Sequence, residues 1–172
     1  HLAGLAALGA AVELEGDAVT LRAPGGLHGA DFALRLPSVG ATLTLMMAAC
    51  CAVGTTVLRG AACEPEVADT ARFLSQCGAQ IQGAGTPTLV IQGAEMLHGT
   101  AYTPMPDRIA AATYAAALAC AGGEVSIARC RPAYYAAFLS FLQRCGVEIF
   151  FGADSVTLRR DPAVPLRGAQ SL

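Results

Sequence analysis

The sequence predicts an α/β domain of repeated β-α-β-α-β-β units, with helices packed inside and sheets outside. Three observations carry this expectation. A helix-end motif recurs as Leu5-Ala-Ala-Leu-Gly-Ala-Ala-Val12, Leu74-Ser-Gln-Cys-Gly-Ala-Gln-Ile81 and Leu142-Gln-Arg-Cys-Gly-Val-Glu-Ile149, its glycines 69 and 68 residues apart. Each copy is followed by two short alternating stretches joined by a turn, which reads as a β-hairpin. Two helical stretches, Thr42 to Val53 and Ile109 to Ala121, are apolar all round and therefore need protein on every side.

The elements follow in order. Gly9, Gly78 and Gly146 suit the left-handed position that ends a helix. The predicted hairpins are Val12 to Glu15 with Val19 to Arg22, Gln80 to Gln82 with Thr88 to Gln92, and Glu148 to Phe151 with Ser155 to Arg159. Leu27-His28-Gly29 and Leu97-His98-Gly99 each precede a short predicted strand, and each strand leads to a helix, Val39 to Val53 and Arg108 to Ala121. Strands Thr55 to Leu58 and Glu124 to Ala128 come next, then helices Glu66 to Gln76 and Ala133 to Arg144. The first of these last helices is amphipathic: Val67, Ala71 and Leu74 share a face, while Asp69, Arg72 and Gln76 point elsewhere. No linker divides the chain, so residues 1–172 read as one domain whose first unit is truncated.

Composition narrows the function. Apolar residues make up 54% of the chain and charged residues 14%, which excludes disorder. A net charge of −2 gives no broad attraction to nucleic acid or anionic membrane. Lys, Asn and Trp are absent, which removes a Schiff-base or P-loop lysine from this segment. The apolar centre Leu43 to Val53 falls short of the ~20 residues a bilayer needs. No signal peptide is visible, and the missing initiator Met suggests a piece of something longer. The seven cysteines form no CxxC pair and read as buried reduced thiols. With His1, His28 and His98 scattered, no metal is expected.

The polar residues at the helix starts admit two readings each. Ser38 can simply cap its helix, or the amides of Val39, Gly40 and Ala41 can receive a phosphate. Asp107 can cap, with Arg108 holding an anion or pairing with Asp107. Glu64 and Glu66 flank Pro65, where the helix dipole favours carboxylates and where acid–base chemistry is also possible. Arg129, Arg131, Arg159 and Arg160 read as a solvated edge. Tyr134, Tyr135, Phe138 and Phe141 read as helix packing.

Leu36-Pro-Ser-Val-Gly-Ala-Thr42 followed by Met46-Met-Ala-Ala49 resembles the bacterial UDP-N-acetylglucosamine 1-carboxyvinyltransferase (enolpyruvyl transferase) family. Ala23-Pro-Gly-Gly-Leu27, Glu64-Pro-Glu66, Cys77-Gly-Ala79, Gly83-Ala-Gly-Thr86 and Pro106-Asp-Arg-Ile109 resemble it in the same order, nearly end to end. The resemblance implies the enolpyruvyl transferase fold, an inside-out α/β barrel. It implies transfer of enolpyruvate from phosphoenolpyruvate to the 3-hydroxyl of UDP-N-acetylglucosamine, a cytoplasmic step of peptidoglycan synthesis needing neither metal nor organic cofactor. Ser38, Val39 and Gly40 match the segment that holds the UDP moiety. Glu64, Glu66, Asp107 and Arg108 match positions near the interdomain cleft.

By the same resemblance, the catalytic residues fall outside the segment. The loop cysteine and the Lys-Asn pair belong before His1, and the catalytic aspartate and the later phosphoenolpyruvate-binding arginines after Leu172. His1 itself matches a position just past the family's Arg-Pro-Val-Asp-Leu nucleotide stretch. Leu43 and Thr44 replace a usual Glu-Asn, Cys63 a usual Arg, and Ala110 a usual Glu. The segment alone is therefore expected to be inactive. Two alternatives stand beside this reading: the shikimate-pathway enolpyruvyl transferase, and a non-catalytic UDP-sugar-binding paralogue. Burial of Ala117 is expected to make Ala117→Glu incompatible with soluble folding.

Overall fold

The computed structural model describes residues 1–168. These residues form two compact units, 1–104 and 105 onward.

The first unit contains α1 (Leu2–Ala7), the hairpin β1 (Ala11–Glu15) and β2 (Ala18–Arg22), β3 (Asp31–Ala33), α2 (Val39–Cys50), β4 (Thr55–Arg59), α3 (Pro65–Gln76), β5 (Gln80–Gln82) and β6 (Thr88–Gln92). Its larger sheet runs β3-β4-β6-β5, with β3 parallel to β4 and the other pairs antiparallel; β1 and β2 form a separate two-stranded sheet. Leu45, Met46, Leu58, Val67, Leu89 and Ile91 form its dry centre. Gly4 of α1 lies against Leu45, in space that any Cβ at that position would occupy. Small residues thus allow the close helix approach that the composition suggested.

The second unit contains α4 (Arg108–Ala121), β7 (Gly123–Ala128), a 3-10 turn at Pro132–Tyr135, α5 (Ala136–Arg144), β8 (Glu148–Phe151) and β9 (Ser155–Arg160). Its sheet runs β7-β9-β8, all antiparallel. Ala115, Leu139, Val156 and Leu158 are fully buried in its core.

The repeat is visible atom by atom. Gly9, Gly78 and Gly146 take φ of 96°, 102° and 98°. In each copy the residue after the glycine donates to the carbonyl five residues back: Ala10 to Leu5, Ala79 to Leu74 and Val147 to Leu142, all at 3.0 Å. That is the Schellman ending, which needs a residue without a Cβ penalty at positive φ. The preceding carbonyls of Leu8, Cys77 and Cys145 then accept from the N–H of His28, His98 and Arg167 at 2.8–2.9 Å. Leu166-Arg167-Gly168 is thus a third copy of Leu27-His28-Gly29, with Arg in place of His.

Several expectations need correction. Within α4, Ala111, Ala115, Leu118 and Ala119 are buried, but Ala117 is exposed, Ile109 is 57% exposed and Tyr114 is 65% exposed. β7, β9 and α5 cover one side of α4, whereas α2 packs on α1 and α3 as well as on β4 and β6. Tyr114, 69 residues after Leu45, stands at the position that α1 covers in the first unit. α2 is therefore covered on more sides than α4, although its Met47 is 50% exposed.

No strand forms between His98 and the start of α4 at Arg108. Pro104 and Pro106 remove ladder donors there, and Tyr102 is tied to α3 instead. Helix α2 ends at Cys50 instead of running to Val53, because Val53 bridges to His28 and Gly54 turns the chain at φ 95°. The helix expected from Ala133 starts as the 3-10 turn at Pro132. Asp69 does not face solvent: it is buried and accepts from the Tyr102 hydroxyl at 2.8 Å and from Arg72 at 2.9 Å. Cys51, Cys63 and Cys120 are exposed, so only Cys50, Cys77, Cys130 and Cys145 are the buried thiols expected. No helix of the described residues is long and apolar enough to cross a membrane.

Candidate functional site

The N-terminus of α2 gathers the strongest set of polar features in the first unit. Ser38 adopts an extended conformation (φ −133°), and its hydroxyl accepts from the Ala41 N–H at 3.3 Å. It is a true N-cap. The Ala41 amide is thereby engaged, which corrects the expectation of three amides open to a ligand. The amides of Val39 and Gly40 lie in the first turn, where no intrahelical carbonyl reaches them. They carry the positive end of the dipole of a 12-residue helix.

His1 lies over this turn. Its Nδ1 is 2.9 Å from the Thr44 hydroxyl, and a Cβ on Gly40 would sit 3.4 Å from the imidazole. The ring thus packs at contact distance beside Gly40. Thr44, which the sequence shows only as a departure from the family pattern, thus has a partner 43 residues away. Spacing alone gives no signal for that contact.

The start of α3 is fastened to the same helix end. Thr42, fully buried in the first turn of α2, accepts the Ala62 N–H at 3.0 Å through its hydroxyl. Ala62 leads through Cys63 into Glu64, the N-cap residue of α3, whose side chain makes no cap bond. Pro65 occupies the first helical position, as its fixed φ favours, and Glu66 places a carboxylate in the first turn. The structure therefore joins the Ser38–Gly40 turn to the Glu64–Glu66 start through one buried hydrogen bond.

Asp107 and Arg108 open α4 in the second unit, 69 residues after Ser38 and Val39. The Asp107 carboxylate accepts from the Ile109 and Ala110 amides at 2.8 and 3.0 Å. Asp107 is a capping residue, and its carboxylate is committed to the helix.

Titration is perturbed at Asp31, Tyr102 and Cys50. Arg59 donates two hydrogen bonds of 2.9 Å to Asp31 and holds its carboxyl below the usual value. Burial, with Asp69 beside it, pushes the Tyr102 phenol up. Burial likewise pushes the Cys50 thiol up to about 11. Arg160, expected at a solvated edge, instead donates to the carbonyls of Cys120, Asp161 and Val164. Among the described residues no group of three or more His, Cys, Asp or Glu side chains could hold a metal.

Comparisons with known proteins agree with this architecture. The profile of the family described as EPSP synthase (3-phosphoshikimate 1-carboxyvinyltransferase) matches residues 1–170. A UDP-N-acetylglucosamine 1-carboxyvinyltransferase of Gluconacetobacter diazotrophicus is 46% identical over 168 residues, covering 98% of this chain and 40% of that protein. One from Caulobacter vibrioides is 44% identical over 161 residues, covering 94% of this chain and 38% of that protein. The chain thus spans about 40% of the length of these relatives. Among solved structures, the enolpyruvyl transferase NikO from Streptomyces tendae superposes with a TM-score of 0.79 at 29% identity, over 96% of this chain and 42% of that one. EPSP synthase from Acinetobacter baumannii shares the fold, with a TM-score of 0.64 at 19% identity over 92% of this chain and 38% of that one. The chain belongs to the EPSP synthase family, and the two relatives named above carry the name UDP-N-acetylglucosamine 1-carboxyvinyltransferase.

Proposed function

We propose that these residues form the sugar-nucleotide-binding part of a cytoplasmic enzyme that transfers enolpyruvate from phosphoenolpyruvate to the 3-hydroxyl of UDP-N-acetylglucosamine. The new bond joins the sugar oxygen to C2 of the enolpyruvyl group, and phosphate leaves. We further propose that both units belong to one domain, in keeping with a family match that crosses their boundary.

The observation that carries the reading is the first turn of α2: Ser38 caps it, and the Val39 and Gly40 amides meet the dipole. Such a turn suits a diphosphate. Glu64 and Glu66, fastened beside it, are proposed to support the same turn, and Asp107 and Arg108 to serve at the equivalent helix start of the second unit. The names of the 44–46% identical relatives favour a sugar nucleotide over 3-phosphoshikimate. A non-catalytic UDP-sugar-binding paralogue is the second reading, favoured by Leu43, Cys63 and Ala110 where acids or a base are usual.

Saturation-transfer NMR with UDP-N-acetylglucosamine, UDP and 3-phosphoshikimate tests the choice of ligand. UDP-N-acetylglucosamine and UDP should both receive saturation, weakly and alike, and 3-phosphoshikimate should not. Preference for 3-phosphoshikimate would reject the proposal. Phosphate release from phosphoenolpyruvate should be undetectable with this chain alone.

A further inference from the structure

Of the arginines that follow β7 or end β9, only Arg159 and Arg160 are satisfied by the fold. Arg159 is ion-paired with Glu124 at 2.7 Å, and Arg160 donates to the carbonyls of Cys120, Asp161 and Val164. Arg129 and Arg131 are exposed, and neither is ion-paired among the described residues. Arg131 lies over the Tyr134 ring, 5.7 Å from its centroid, and donates to its hydroxyl at 3.2 Å. Those neutral contacts leave its charge uncompensated.

Arg129 also stands where a side chain is disfavoured. Val125 and Ile127 face Leu158 and Val156 in one sheet as Thr56 and Leu58 face Ile91 and Leu89 in the other. The turn after each strand is closed alike. The Ala61 N–H donates to the Pro87 carbonyl at 3.0 Å, and the Cys130 N–H to the Asp154 carbonyl at 2.9 Å. The residue before each donor is left-handed: Gly60 at φ 67° and Arg129 at φ 51°. Arg129 is the only residue other than glycine at positive φ among the described residues. This turn suits glycine, and an arginine holds its place.

The helix start that follows is altered in the same sense. Glu64-Pro65-Glu66 opens α3, whereas Arg131-Pro132-Ala133 leads into the 3-10 turn before α5. A cation is disfavoured there, just as the acids of α3 are favoured. A left-handed arginine, a cation at a helix start and missing counter-charge thus coincide at residues 129–131. Each costs stability in the free chain, and a bound anion offsets them.

We propose that Arg129 and Arg131 form a binding site for a dianionic phosphate group, free or carried on a small ester. Two guanidiniums match two negative charges, and each presents a planar fork to phosphate oxygens. Tyr134 holds the Arg131 fork in place. A carboxylate brings one charge and leaves one arginine uncompensated. The net charge of −2 and the absence of Lys provide no wider basic surface, so the occupant is a small molecule and not a nucleic acid.

The test titrates the full chain with inorganic phosphate near pH 8 and follows the arginine Cζ resonances. Those of Arg129 and Arg131 should shift together and saturate, while Arg59, held by Asp31, stays in place. Acetate should bind about tenfold or more weakly, and sodium chloride at equal ionic strength should not reproduce the shifts. Arg129→Gly should weaken phosphate binding by about tenfold or more with Tm at or above that of the parent, because glycine adopts this φ freely. Arg131→Gln should weaken it similarly. Glycerol 3-phosphate separates the sources: saturation by it as well assigns the site to phosphate esters, and saturation by phosphate alone to the free ion. A clear fall in Tm for Arg129→Gly would assign that residue to the fold and overturn the proposal. So would shifts that sodium chloride reproduces, or undiminished phosphate binding in either variant.

Discussion

Thr42 and Ala62, twenty residues apart, are joined by a 3.0 Å hydrogen bond from the Ala62 N–H to the Thr42 hydroxyl, out of contact with water. One bond therefore holds the first turn of α2 and the loop into α3 in a single arrangement. Thr42→Val removes the acceptor and leaves a buried amide unpaired, which costs about 1–3 kcal/mol. Chemical denaturation should show that loss, and Thr42→Ser should recover most of it. A Thr42→Val variant as stable as the parent would assign the bond no structural role.

The three helix-ending glycines are alike in φ but not in surroundings. A Cβ on Gly78 would meet the His98 ring at 3.4 Å, whereas a Cβ on Gly146 would meet nothing within 4 Å. Both Ala substitutions carry the left-handed penalty of about 1–2 kcal/mol. A Cβ 3.4 Å from a ring is in ordinary contact, so Gly78→Ala and Gly146→Ala should lose similar stability in thermal melts, and a clearly larger loss at Gly78 would show that the His98 ring cannot accommodate the methyl.

The two sides of α4 separate cleanly by mutation. Ala115 is fully buried, so Ala115→Glu places an unpaired carboxylate in the second core at a cost of several kcal/mol and should abolish soluble expression. Ala117 is exposed, so Ala117→Glu should stay soluble and folded by circular dichroism. This reverses the expectation drawn from the all-apolar sequence.

The contrast shows what the residues disclose by themselves. Hairpins and glycine-terminated helix ends are local, and they repeat, so they were legible from Leu74-Ser-Gln-Cys-Gly-Ala-Gln-Ile81 and its two counterparts. Which side of an all-apolar helix is covered depends on distant partners, and α4 carries no polar stripe to mark its open side. Asp69 was unreadable for the same reason: its partner Tyr102 lies 33 residues on. The repeat also misled once, at Thr100 to Pro106, where the prolines outweighed the analogy with Asp31–Ala33. At the site, Ser38 and Asp107 were legible as caps from residue type, but the His1–Thr44 contact and the Thr42–Ala62 bond were not.

Thiol reactivity should follow burial. Brief treatment of the native protein with an alkylating reagent near pH 8 should label Cys51, Cys63 and Cys120, the exposed cysteines. Cys50, raised to about 11 by burial, should resist until the chain unfolds. Mass spectrometry of tryptic and acidic-cleavage peptides reads this directly. Rapid native labelling of Cys50 would contradict its burial on α2.

Asp31 and Arg59 make a pH-dependent pair on the surface. The Arg59 guanidinium holds the folded-state Asp31 carboxyl below the ordinary aspartate range, so the pair's contribution is present above the ordinary value and lost as pH falls through the lowered folded one. The pair is exposed, so the effect on stability is small and screened by salt. Carboxyl NMR titration should place Asp31 below an ordinary aspartate, and Arg59→Gln should return it to the ordinary range.

The most direct test of the central claim, that the N-terminus of α2 receives the diphosphate of a sugar nucleotide, is a residue-resolved NMR titration with UDP-N-acetylglucosamine. The Val39 and Gly40 amides should shift first, with Ala41 following less because Ser38 already holds its N–H. A helix terminus contributes about 0.3–1 kcal/mol per anionic group. With a few hydrogen bonds at roughly 1 kcal/mol each, the dissociation constant should be on the order of millimolar or weaker. UDP alone should reproduce the pattern. Tight micromolar binding, or shifts centred elsewhere with Val39 and Gly40 unmoved, would contradict the assignment.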